Sequence, residues 1–120
     1  MKAFTDIEQS KRLAKILPLE SADMFLALDG TLPVMSKYID NGFVTADNTA
    51  IPCWSLAALL DILRDKAYSI DEDANVSLSS YKTVEWDLSI SNSGLNMVTK
   101  SDPIDACVEM ILKLKEKDLI

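Results

Sequence analysis

Val84-Glu85-Trp86-Asp87-Leu88-Ser89-Ile90 alternates apolar and polar residues without a break. Side chains of a strand point to opposite faces in turn. The spacing therefore predicts a β-strand with Val84, Trp86, Leu88 and Ile90 on a buried face and Glu85, Asp87 and Ser89 in water. Asn92-Ser93-Gly94 reads as a turn, and Leu95 to Thr99 as the antiparallel partner, with Trp86 toward the helices. Val76 and Leu78 alternate upstream in a further strand. A sheet with one dry face needs helices to cover that face, and the flanking sequence supplies them.

Downstream, a helix starts at Asp102 or Ser101: Asp102 caps it, Pro103 fits its first position, and Asp105 suits the positive end of its dipole. Ile104, Cys107, Val108, Ile111 and Leu112 form the apolar stripe, which Met110 and Leu114 widen. So broad an arc is expected either to be shared with a second copy, as a two-fold homodimer through Met110 and Leu114, or to be covered by the first helix or by Phe43 to Ile51. Upstream, Ser55 is the N-cap of another helix, with Trp54 and Leu59 as its hydrophobic staple and Leu56, Leu59, Leu60 and Leu63 on one face. Pro52 stiffens the approach, and Asp61 and Asp65 lie on the opposite side.

The first helix is read from Thr5 to about Leu17, with Thr5 and Glu8 as its capping box, Ile7, Ala14 and Leu17 on one face with Leu13 and Ile16 beside it, and Pro18 as its stop. Met24–Leu28 and Leu32–Met35 flank Asp29-Gly30 as a hairpin whose second strand, carrying Pro33, belongs at an edge. Asp40-Asn41-Gly42 is a second turn signal, and Phe43 to Ile51 reads as irregular. The order α-ββ-α-βββ-α defines an α+β fold class. One domain over residues 1–120 is expected, with an antiparallel sheet of about 3–5 strands and about three helices packed on it.

Composition narrows the function. Twelve Lys and Arg stand against 19 Asp and Glu, a net charge of −7, with no basic cluster to neutralise phosphates. Direct nucleic-acid binding and attraction to anionic lipid are not expected. No apolar run approaches the length of a membrane span, and Met1 to Glu8 lacks the apolar stretch of an export signal. A cytoplasmic setting with Cys53 and Cys107 reduced and buried is therefore expected. Histidine is absent, which removes the commonest general base and metal ligand. The three glycines, Gly30, Gly42 and Gly94, sit in turn signals and build no phosphate loop. Asp71-Glu72-Asp73-Ala74-Asn75 begins like a calcium loop, but Val76 and Lys82 stand where Gly and Glu are required. No metal and no cofactor is expected, and no catalytic residue is assigned.

Three segments carry a resemblance: Ser21-Ala22-Asp23-Met24, Pro52-Cys53-Trp54-Ser55-Leu56, and Asp102-Pro103-Ile104-Asp105-Ala106-Cys107-Val108-Glu109-Met110. Together they resemble a group of short uncharacterised proteins of gut Bacteroidales and their phages or prophages. The resemblance implies a small accessory protein of a mobile element and carries no activity. The chain departs from the group at Lys113, where an aromatic is frequent. The leading expectation is a non-enzymatic interaction protein with a protein partner. The alternatives are a small enzyme using carboxylates or Cys53, and an acidic inhibitor that occupies a basic nucleic-acid-binding site.

Overall fold

A computed structural model describes residues 1–27, 34–35, 50–81 and 85–120. The described helices are α1 (Ile7–Ala14), α2 (Leu56–Ile70) and α3 (Pro103–Glu116). The strands are β1 (Met24–Ala27), β2 (Val34–Met35), β3 (Ala50–Cys53), β4 (Val76–Tyr81), β5 (Glu85–Ile90) and β6 (Val98–Lys100). The fold is α+β in the expected order, with β3 added before α2. The strands divide into two antiparallel sheets rather than one, ordered β2-β1-β3 and β4-β5-β6. Val84, Pro33, Asp29-Gly30, Asp40-Asn41-Gly42 and most of the stretch read as irregular lie outside the described residues.

The second sheet follows the alternation that predicted it. Leu88 pairs with Leu78 on one side and Val98 on the other, and Leu88, Ile90 and Val98 are buried. Trp86 shares their face but sits nearer the rim, half-buried between Ser80 and Lys100. The return strand is shorter and later than expected. It begins at Val98, because the turn and its continuation reach Met97: Asn92 and Gly94 take positive φ (58° and 74°), and Ser93 Oγ donates to the Ile90 carbonyl (2.7 Å). On the wet face, Thr99 Oγ1 donates to the Asp87 carboxylate across the ladder at 2.8 Å.

The helix α3 explains its own breadth. It packs on α2 along one side and on β5 and β6 along the other. A helix with two covers needs an apolar arc wider than one stripe. Met110 and Leu114 are each 0% exposed, so both belong to the core of the chain. The expected dimer surface is corrected accordingly. These two side chains offer no face to a second copy; they belong to one core cluster with Leu13 and Leu17, Leu59 and Leu63 of α2, and Leu88 and Val98 of the second sheet.

The first helix is also corrected. It spans Ile7–Ala14 rather than Thr5 to Leu17: Asp6 is the N-cap in place of Thr5, Asp6 and Gln9 form the capping box, and Lys15 is the C-cap. Thr5 is withdrawn from that task because its hydroxyl is used elsewhere. The Trp54 amide donates to Thr5 Oγ1 at 3.0 Å, the Thr5 amide donates to the Trp54 carbonyl at 2.9 Å, and Thr5 and Ser10 share a hydroxyl bond of 2.8 Å. That buried bond turns Ser10, Leu13 and Leu17 inward and leaves Ile7 and Ala14 exposed. Where Ala50 and Ile51 were read as irregular, β3 forms because β1 offers it a full partner, with Met24 opposite Cys53 and Ala27 opposite Ala50. Pro52 is tolerated there because β3 is the edge of its sheet.

Candidate functional site

The residues singled out in the sequence are mostly structural. Trp54 Nε1 donates to Ser21 Oγ (3.0 Å), which in turn donates to the Pro18 carbonyl (2.6 Å). Asp23 accepts from the Ser55 amide (2.9 Å) and from the Ser55 hydroxyl, while Ser55 Oγ caps α2 by accepting from the Ala58 amide at 3.2 Å. Two of the three resemblance segments therefore meet and fasten each other. The third is fastened to the chain start: Asp102 accepts from the Ile104 amide (2.8 Å) and from the Lys2 amide (2.7 Å).

Lys2 continues that clamp. Its Nζ reaches Asp105 at 2.7 Å and Asp6 at 3.0 Å, and Gln9 Nε2 donates to the same Asp105 oxygen at 2.7 Å. The bond to Asp105 raises the Lys2 pKa against the smaller opposing effect of partial burial. Burial works against ionisation of Asp6, but the amide of Gln9 and the ammonium of Lys2 outweigh it and lower the pKa. Opposite charges are satisfied in place, which pins the chain start to the first turns of α1 and α3.

Both thiols are held protonated. Cys53 is 0% exposed on β3; burial first, and then the charge of Asp23, push its pKa up to about 11. Cys107 is equally buried in α3, where burial and Asp102 raise it to about 12. A thiolate nucleophile needs the opposite environment. The segment Asp71 to Asn75 is a turn in which Asp71 accepts from the Asp73 amide at 2.8 Å. Among the described residues no group of three or more acidic or cysteine side chains is placed to hold a metal ion.

The sheet edges are the part of the molecule that chemistry has not consumed. Of the four, β2 is two residues long, and β3 carries Pro52 and is capped where Phe4 and Thr5 bridge to Ser55 and Trp54. The third, β6, has three residues and ends on exposed Lys100. These are familiar ways of blunting an edge. The fourth, β4, has none of them. It is six residues long, Val76-Ser77-Leu78-Ser79-Ser80-Tyr81, without charge, proline or glycine.

The phase of the ladder tells which backbone groups β4 presents. The Ser91 amide donates to the Asn75 carbonyl at 3.0 Å, and the two residues stand opposite in register. Hydrogen-bonded pairs alternate along an antiparallel ladder, so residues 75, 77, 79 and 81 face β5 and Val76, Leu78 and Ser80 face outward. Among the described residues none bonds to the outward amides and carbonyls of these three. At the Val76 end, the edge opens into a depression of about 620 Å³ shared with α2, lined by Asp61, Arg64, Asp65, Tyr68 and Asn75 as well as Val76. Tyr68 is 67% exposed there.

The strand itself was legible from Val76 and Leu78, but its place at the edge was not, because strand order is a tertiary property. The only sequence signal was the uncharged run from Val76 to Tyr81. Comparison with protein-family models, with curated proteins and with solved structures finds no match to the chain.

Proposed function

We propose that the chain is a non-enzymatic protein-interaction domain that binds through the outer edge of β4. The observation that carries this reading is the contrast among the four edges of the described residues: three are short, capped or charged, and the longest is uncharged and has no partner among the described residues for the outward backbone groups of three residues. An unpaired edge of this kind is a template for a further strand. The raised pKa values of Cys53 and Cys107 weigh against the alternative of a cysteine enzyme. The net charge of −7 favours a protein partner over nucleic acid. No described helix is long and apolar enough to cross a membrane, in keeping with action in the cytoplasm. The likeness of the Ser21, Pro52 and Asp102 segments to short proteins of gut Bacteroidales and their phages or prophages supports an accessory role in a mobile element.

Affinity capture from a Bacteroidales lysate tests this reading, with wild type and Ser80→Pro immobilised side by side. Proline at position 80 removes an amide that points away from β5 and blocks an added strand. At least one protein is expected on the wild-type column and missing from the variant, with both baits folded by circular dichroism. Identical sets of retained proteins overturn the reading.

A further inference from the structure

We propose that the occupant of the β4 edge is an extended segment of a partner protein, paired antiparallel to β4, with Lys or Arg in its C-terminal half. This deepens the edge reading and rests on it. Three observations select that occupant.

The first is the arrangement of acids. At the start of β4 the turn carries Asp71, Glu72 and Asp73, the last two exposed, and the adjoining face of α2 carries exposed Asp61 and Asp65. Arg64 lies 3.5 Å from Asp61 and offsets that one charge, and among the described residues no ion pair is formed by Asp65, Glu72 or Asp73. The strand that follows, Val76 to Tyr81, has no charge of its own. The edge is thus acidic at one end and neutral along its length. A strand added antiparallel lays its C-terminal half beside the beginning of β4, which is where the acids are.

The second is the depression beside Tyr68. It adjoins Val76, whose backbone faces the edge and whose side chain, with that of Leu78, packs toward the core. Alternate side chains of an added strand turn to that same side. One of them enters the depression against the Tyr68 ring, and its neighbours on either side stay in solvent. The segment therefore alternates, with an apolar or aromatic residue set between polar or basic ones. A basic residue beside Tyr68 would also gain from the ring face.

The third concerns the rival occupant, a second copy of the chain. Two chains of net charge −7 repel, and in sequence only Lys82 follows β4, one positive charge against Asp71, Glu72 and Asp73 at its start. Charge complementarity therefore favours a basic partner over self-pairing.

The test is selection from a phage-displayed library of random dodecapeptides on the immobilised full chain. Affinities of the selected peptides are then measured by fluorescence anisotropy. Selected sequences are expected to alternate with period two and to concentrate Lys and Arg toward the C-terminus. Ser80→Pro is expected to weaken them at least about tenfold by removing one main-chain partner and obstructing the rest. Asp65→Lys combined with Asp73→Lys is expected to weaken them roughly threefold, an effect that fades with added salt, as rim charges do. Peptides that lose affinity with Ser80→Pro but carry no basic bias, or carry it at the N-terminus, overturn the inference and leave the edge reading standing. So does a wild-type dimer in sedimentation that Ser80→Pro dissociates. Failure to select any peptide, or affinities that Ser80→Pro does not change, overturns both.

Discussion

The outer strand of the first sheet and the outer strand of the second meet opposite fates. The edge strand β3 is closed from three directions: Pro52 lacks an amide to offer, α1 packs against it, and the Thr5 backbone and hydroxyl take up the Trp54 carbonyl and amide. Its Cys53 is sealed from solvent as a result. The edge strand β4 also has a helix beside it, α2, but it has neither proline nor capping segment among the described residues, and Ser77, Ser79 and Ser80 are exposed. The chain has the means to blunt an edge and, among the described residues, uses none of them on β4. Closure also has a cost in polar groups. Thr5 and Ser10 are both fully buried, and each is tolerated only because the other, or Trp54, completes its hydrogen bonds.

The closed side can be broken by removing one oxygen. Thr5→Val keeps the shape but leaves the buried Trp54 amide without an acceptor and takes a partner from Ser10. The expected loss is about 2–3 kcal/mol in urea unfolding, because an orphaned buried donor costs more than a hydrogen bond contributes. Thr5→Ser, which retains the hydroxyl, should recover most of it. Equal losses for the two variants would mean that packing of the methyl group, not the hydroxyl, closes this edge.

A smaller effect follows from the sealed thiols. In the unfolded chain a cysteine ionises near its ordinary value of 9.0, whereas in the folded chain Cys53 waits until about 11 and Cys107 until about 12. The folded state therefore binds protons that the unfolded state has released once the pH passes 9.0. The sign is fixed: this contribution to stability is level below that pH and declines as pH rises through the window up to the folded values. Replacing both cysteines by alanine should flatten that alkaline decline, read as the urea midpoint against pH. Alkylation of the native protein by iodoacetamide should stay slow across the same window, since a protonated, buried thiol is a poor nucleophile. Rapid labelling of Cys53 at neutral pH would show that β3 is not closed.

Much of this architecture is legible in the residues, and the failures share a cause. Local rules worked where the signal is local: Asp102 and Pro103 start α3, Ser55 starts α2, and the alternation from Glu85 to Ile90 sets the two faces of β5. They misled wherever a side chain had a distant partner. Thr5 has the chemistry of an N-cap, but a bond to Trp54, 49 positions away, outcompeted that role and moved the cap to Asp6. Met110 and Leu114 looked surplus to one covering surface because a helix read alone does not reveal that it has two. Ala50 and Ile51 fell in a stretch read as irregular, and only the pairing of β3 with Phe25 and its neighbours on β1 made a strand of them. The candidate site belongs to the same category. Nothing in Val76 to Tyr81 states that β5 will sit on one side and leave the other side open.

The smallest expected effect is the one that tests the ladder phase on which the open edge depends. Ser79 and Ser80 are adjacent, both exposed, and chemically identical. Proline at either position imposes the same ring on an extended backbone and removes the same amide. The difference lies in where that amide points. At Ser79 it faces β5, opposite Asp87, so Ser79→Pro breaks a ladder bond and leaves an acceptor on β5 unmatched. At Ser80 it faces away from β5, and the loss falls on solvent. Ser80→Pro should therefore stay within about 1 kcal/mol of wild type, the range of an edge proline that forfeits no ladder bond, while Ser79→Pro should cost at least about 1 kcal/mol more. Amide exchange sharpens the same point without mutation: Val76, Leu78 and Ser80 should exchange faster than Ser77 and Ser79, in a strict period of two. If Ser80→Pro is the more damaging variant, the phase is reversed, and the groups assigned to the free edge are those that bind β5. If the two cost the same and the five amides are equally protected, another segment already pairs with β4, and this edge is as closed as that of β3.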